Sequence, residues 1–352
     1  MAKNRSSEPN NKQLPPKKEG RKRPSGAFIG DAVRDGVEGI RARISSKKTI
    51  VLHPTVVVLA TYVLLLLSKL IDLTLLNREN EYYSVVILQM MIFLLPGAIW
   101  CIFSGEKYVK SLRLQMFRPS SILLIVSASL LMASLGLLIS VLFDGMGSVS
   151  ENFSLYDTFI SKDNGTVPGK IYLIMAYAVL PAICEEFVYR GILCREYERG
   201  GVLRAIVFST LFFALLHFNL AGLPIYLISG AVLALTYYAT RSLIGSMIAH
   251  FLYNIFCIFG QPYLSNLYQI TGSAQLFLIL VATVALVSGA IFCGEAARLY
   301  RRYLYDGASA EYRQPVLRST AAIRMSYLDV IRQPSAIACF VIYLIALLIA
   351  WI

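Results

Sequence analysis

Pro181-Ala182-Ile183-Cys184-Glu185-Glu186-Phe187-Val188-Tyr189-Arg190 sets two adjacent carboxylates and an arginine inside a stretch otherwise apolar enough to cross a bilayer. An ionised side chain in hydrocarbon costs at least ~2.5–3.5 kcal/mol on insertion scales, so charges held at that depth face a cavity, a partner or a substrate path. Glu186 and Arg190 are spaced i,i+4, which brings them together on one helix face as an ion pair. A pair of that kind pins one helix to another and leaves Glu185 without a partner.

The rest of the chain places this stretch in a membrane. Apolar runs at 55–76, 84–103 and 121–143 precede it, and runs at 204–218, 223–240, 243–259, 276–293 and 336–352 follow the one at 170–192 that contains it. Most come close to the ~20 residues a bilayer needs. Across 352 residues the chain is 57% hydrophobic and 15% charged, with a mean hydropathy of +0.62, which excludes an ordinary soluble domain. The expected fold is all-α and polytopic, with about eight core transmembrane helices and a C-terminal apolar helix.

Four regions follow. Residues 1–50 form a basic tail, disordered over 1–26 because so polar a composition buries no core. Over 26–50 the apolar set Phe28, Ile29, Val33, Val37, Ile40 and Ile44 opposes Arg34, Arg41, Arg43, Lys47 and Lys48, the pattern of a helix lying on the membrane or of a solvated basic face. Residues 51–293 are the transmembrane core, with a catalytic region at 170–259. Residues 294–335 are a basic cytoplasmic segment, and 336–352 form the last transmembrane helix.

The formal net charge is +12. Its basic residues sit in the tail and in alternate loops, where retention in the cytoplasm and contact with anionic lipid explain them, so nucleic acid is not an expected partner. The same asymmetry puts the N-terminus in the cytoplasm. No cleavable signal peptide is expected, since the first apolar run begins after about fifty polar residues. Six cysteines lacking any CxxC pair read as small core residues.

Two of the three histidines, His217 and His250, also lie in apolar runs. If the fourth and fifth spans form a hairpin turning at Gly200-Gly201, Glu185 and His217 stand sixteen residues either side of 201. At ~1.5 Å per residue each is roughly 24 Å from the turn, so the two are level. His250 and Asn254, i,i+4 on the seventh span, share a face. Counted from Arg241-Ser242, however, His250 is only about 13 Å along its helix, lower than His217. A carboxylate beside an imidazole at depth suits activation of water, directly or through a metal.

Glu185-Glu186-x-x-x-Arg190, Phe213-x-x-x-His217 and His250-x-x-x-Asn254, in that order on successive hydrophobic helices, resemble the CAAX-protease and bacteriocin-processing family of intramembrane endopeptidases. The resemblance covers residues 181–254. It implies a helical core around a water-accessible cavity and hydrolysis of a peptide bond at the membrane. Glu185 would be the general base, His217 would position the water, and His250 with Asn254 would stabilise the tetrahedral oxyanion. Glu186 and Arg190 would orient the first carboxylate.

Glu185, His217 and His250 would suffice as zinc ligands with water in the fourth position. The HExxH spacing of common zinc proteases is absent. The reading therefore favours a glutamate-activated water with no obligatory cofactor. The expected partners are the lipid bilayer and a membrane-associated, hydrophobic or lipidated peptide or protein substrate. Two other functions fit the same residues. One is a non-catalytic immunity or regulatory protein, of the kind that gives bacteriocin immunity, binding a peptide in the cavity. The other is a proton-coupled transporter using Glu185, His217 and His250 as a relay.

Overall fold

A computed structural model describes residues 53–70, 86–104, 106–146, 167–305 and 320–351. Among these every regular element is a helix. The basic tail at 1–50, with its amphipathic stretch, lies outside the described residues. We number the principal helices α1 Thr55–Leu70, α2 Val86–Ser104, α3 Pro119–Phe143, α4 Gly169–Tyr197, α5 Val202–Leu215, α6 Leu223–Thr240, α7 Leu243–Phe259 and α8 Gln261–Thr271. Then follow α9 Ala274–Tyr305, α10 Thr320–Ile331 and α11 Pro334–Trp351.

All nine apolar runs hold a helix where they are described, though the run at 204–218 leaves the helix after Leu215, and the helices are unequal. Five (α2, α3, α4, α6 and α9) are long and apolar enough to cross a membrane, and the number rises to seven if the bent pairs α7–α8 and α10–α11 each make one span. Their bends are 66° and 60°, each at a break followed by proline, Pro262 or Pro334. Helix α5 has 14 residues, or ~21 Å, short of a ~30 Å hydrocarbon core. By these measures the described residues hold five to seven spans, where the sequence suggests about eight and a C-terminal helix. Large apolar side chains such as Leu286 on α9, 75% exposed, and Leu348 on α11, 67% exposed, point outward, as a lipid-facing surface requires. The protein is an integral, multi-pass membrane protein.

The expected boundary at residue 293 falls inside a helix. The 32 residues of α9 span ~48 Å, so the helix outruns the bilayer and carries Arg298 and Arg301 at its far end. Four of the six cysteines are buried, Cys257 is half-buried and Cys293 is exposed; all are free.

Helix α4 is not a uniform α-helix. It widens to π-helical turns at Met175–Val179 and Phe187–Cys194, and α2 does the same at Met90–Leu94. Two of these wide turns end two residues before a proline, Pro181 and Pro96. Proline lacks the N–H of the ladder and its ring crowds the carbonyl four residues back, so a wider preceding turn relieves the clash.

One loop ties the helix ends together. The Leu243 N–H donates to the Arg113 carbonyl at 3.0 Å, Gln115 Nε2 donates to the Arg241 carbonyl at 3.0 Å, and the Ser242 hydroxyl donates to the Gln115 carbonyl. Ser242 also caps α7, accepting from the Gly245 N–H at 3.1 Å. Arg113 pairs with Glu198 at 2.8 Å and lies 5.0 Å from the Tyr237 ring centroid. The end of α4 and the α6–α7 turn are thus held by the same residues.

Candidate active site

Glu186 and Arg190 are the sealed half of the constellation. Their side chains are wholly buried and joined at 2.7 Å. Arg190 also donates to the Gly230 carbonyl of α6 at 2.9 Å, and its guanidinium lies 4.5 Å from the Phe213 ring centroid on α5. A buried arginine tolerates that position only with such compensation, since removing one partner of a buried pair typically costs ~3–5 kcal/mol. The i,i+4 spacing survives even though the wide turn begins at Phe187.

His250 joins the same carboxylate. Its Nδ1 lies 3.1 Å from Glu186 Oε1, and its Nε2 lies 4.0 Å from Glu185 Oε2. A carboxylate accepts only, so Nδ1 carries the proton. His250 is therefore level with both glutamates, which removes the depth mismatch expected from the sequence. The two turns do not sit at one depth. Leu243 packs on Gly191, where an added Cβ would come 3.3 Å from Leu243 Cδ2. From that contact Glu185 is six residues back along α4 and His250 seven residues along α7, ~9 and ~10.5 Å of rise.

Glu185 differs from its neighbour. Its side chain is 14% exposed where that of Glu186 is 0%. It lines a cavity of about 280 Å³ together with His217, as the expected hairpin across Gly200-Gly201 requires. The hairpin itself is present: a short 3-10 turn at Glu198–Gly200 leads to Gly201, whose φ of 117° is open to glycine alone.

His217 sits just beyond the end of α5, not within it. Its Nδ1 lies 3.0 Å from the Phe213 carbonyl, which accepts the ring proton and leaves a lone pair on Nε2. The ring stacks on Tyr226 of α6 at 3.7 Å and 15°. The next residue, Phe218, has φ +47°, an outlier for so bulky a side chain. It is held by an edge contact with Tyr62 of α1 and a stack on Tyr343 of α11, centroids 5.5 and 6.4 Å away. Strain of this kind persists where the surroundings over-determine it, characteristically beside functional residues.

Asn254 lies one turn beyond His250 on α7 and is half-buried. Among the described residues no hydrogen bond joins it to Glu185, Glu186 or His217. No group of three His, Cys, Asp or Glu side chains able to hold a metal ion occurs among them either. Glu185, His217 and His250 are thus not grouped as one donor set in this geometry.

Three parts of the site had no signal in the sequence. The Tyr226 stack joins residues on two helices with no fixed spacing. Phe218 is not a residue type that announces a left-handed turn. Gln89 and Ser68, which also line the cavity, come from α2 and α1, far from the motifs. Phe213, by contrast, stands in the quoted motif; its ring makes edge contacts with both histidines, centroids 5.1 and 5.9 Å away.

Residues 167–256 match the family model of the type II CAAX prenyl endopeptidase Rce1-like domain. The matched segment contains all six residues of the constellation, and the match agrees with the resemblance carried by the three motifs. No curated protein and no solved structure matches the chain.

Proposed function

From the premise that residues 167–256 are an Rce1-like domain, hence of a CAAX-type intramembrane protease family, we propose that this chain hydrolyses a peptide bond of a membrane-associated, hydrophobic or lipidated peptide or protein. The observation that carries the reading is the division of the carboxylates. Glu186 is sealed against Arg190 and His250, while Glu185 opens onto the cavity that His217 shares.

Glu185 acts as general base on a water molecule in that cavity, a role typically worth 10²–10⁴ in rate. His217, with its proton on Nδ1, accepts a hydrogen bond from the same water at Nε2 and so fixes its orientation. Attack on the scissile carbonyl carbon breaks its π bond and forms the oxyanion. Collapse of the oxyanion re-forms the C=O bond and breaks the C–N bond, and the proton taken by Glu185 passes to the departing amine, leaving a carboxylic acid on the other fragment. Donation from His250 Nε2 to the oxyanion requires a proton on that nitrogen besides the Nδ1 proton held by Glu186; Asn254 supplies the second donor. This chemistry uses the chain's own side chains and no obligatory metal. The site lies among membrane helices, so the substrate is one already at the membrane, and the basic N-terminus is assigned to the cytoplasm.

The expected result is that Glu185→Ala abolishes cleavage while inserting normally into the membrane. Cleavage by purified Glu185→Ala at the wild-type rate would remove the catalytic assignment. Glu185→Gln keeps the shape without the base, and a cellular phenotype fully retained by it would favour a peptide-binding immunity or regulatory role over catalysis.

A further inference from the structure

We propose that Tyr62, on α1 and outside the matched domain, is a positioning residue that fixes His217 by holding the backbone on both sides of it; the catalytic consequence rests on the protease reading above. Tyr62 is wholly buried. Its hydroxyl donates to the carbonyl of Phe212, which precedes His217 by a little over one turn of α5. Its ring makes the edge contact with Phe218, the residue after His217, with centroids 5.5 Å apart. One side chain from another helix therefore grips at two points the segment that carries the imidazole.

The reason for such a grip lies in how α5 ends. The last four carbonyls of a helix have no partner within it. Here the Leu216 N–H reaches the Phe212 carbonyl at 3.2 Å, the His217 N–H reaches that of Ala214 at 3.3 Å, and the Phe218 N–H reaches that of Leu215 at 3.2 Å. These lie at or beyond the long end of the usual range. The Phe213 carbonyl takes the His217 ring at 3.0 Å. The imidazole thus hangs from a loosely bonded turn, and none of those four bonds relates that turn to another helix. The Tyr62 hydroxyl does. It also ties the turn to the cavity, because Leu65 and Ser68, further along α1, line the space that Glu185 and His217 share. A buried tyrosine has only two side-chain torsions to fix, so it carries the position of α1 to His217 with little slack. A displacement of ~1 Å at a catalytic group can cost ~10²-fold in rate.

Tyr62→Phe removes the hydroxyl and keeps the ring, and Tyr62→Leu removes both grips. Tyr238→Phe is the matched control: the Tyr238 hydroxyl, also buried, donates to the Cys194 carbonyl at 3.2 Å, roughly 13 Å along α4 from Glu185. Cleavage of a fluorogenic prenylated CAAX-type peptide in liposomes gives kcat and KM for each. Nitrogen NMR of protein labelled only at its three histidines reads the His217 ring directly, with signals assigned from His217→Gln. Tyr62→Phe is expected to lower kcat about three- to tenfold with KM little changed, and to move or broaden the His217 signals while those of His250 stay. Tyr62→Leu is expected to lower kcat about ten- to a hundredfold; should it fail to fold, Tyr62→Phe decides alone. Tyr238→Phe is expected to lower the unfolding midpoint comparably and to leave kcat and both sets of signals unchanged, which a merely structural role for Tyr62 would also predict of Tyr62→Phe. Unchanged His217 signals or unchanged kcat in Tyr62→Phe, or the same losses and shifts in Tyr238→Phe, would each overturn the proposal. Absence of any Glu185-dependent cleavage by wild type would overturn the protease reading instead, and the His217 signals would then still decide whether Tyr62 holds the ring.

Discussion

Tyr226 covers one face of His217 at 3.7 Å in a near-parallel stack, while the Phe213 carbonyl fixes the other ring nitrogen. An aromatic pair of this kind is worth ~0.5–1.5 kcal/mol beyond its area. Tyr226→Leu should therefore leave the fold intact and lower kcat by roughly two- to tenfold with KM little changed, as a steady-state assay beside the wild type would show; an unchanged kcat would mean that the stack does not orient the imidazole. The catalytic candidates themselves were legible in the sequence. Glu185, Glu186, Arg190, His217, His250 and Asn254 are polar residues in apolar runs, and membrane burial makes each one conspicuous. Tyr226 was not, because an aromatic residue in an apolar helix is ordinary until its neighbour is known.

At the scale of the helices, Gly230 sets how closely α5 and α6 approach. A Cβ there would lie 3.1 Å from a Phe213 ring atom and 3.3 Å from the Thr210 Cα. The ring could shift by a few tenths of an ångström, but the backbone of α5 cannot yield without moving the helix. Gly230 also supplies the carbonyl that receives Arg190. Gly230→Ala is expected to destabilise by ~1–3 kcal/mol, the usual range for overpacking, read as a lowered unfolding midpoint in detergent. It should weaken catalysis as well, since Phe213 touches both histidines. Here the sequence was only partly readable. The hairpin across Gly200-Gly201 followed from two glycines and a count of residues. The level of His250 did not, because a count gives distance along a helix and says nothing of where its turn sits. The loop at 111–118, which fixes that turn, has no periodicity to reveal it. Helix lengths were likewise hidden: α5 stops before a full bilayer crossing because the chain turns at Leu216 and His217.

For the whole molecule, the matched domain is only part of what shapes the site. Helices α1 and α2 wall the cavity, and α11 reaches back to it: the Thr55 and Ser335 hydroxyls pair, Phe340 meets Phe212, and Tyr343 stacks on Phe218. Ending the chain after residue 319 removes α10 and α11 and uncovers these rings. That truncation should lower the unfolding midpoint, and it should cost activity beyond the loss of stability, because the Tyr343 stack that braces Phe218 beside His217 is then gone and the Tyr62 edge contact remains. A truncated protein with full activity at a temperature where both forms are folded would show that the brace is dispensable. The wide turns before Pro96 and Pro181 carry a last consequence. An α-helix rotates ~100° per residue, and a π turn holds one residue more than the α-helical ladder would. The stretch before each wide turn is therefore out of phase with the stretch after it. Were Met90–Leu94 an α-helical turn of the same length, Gln89 would be swung about 100° relative to Pro96 and the remainder of α2, out of the register in which it lines the cavity with Ile92 and Phe93. The count of residues in these turns is thus inherited information, as binding on the site as the identity of Glu185.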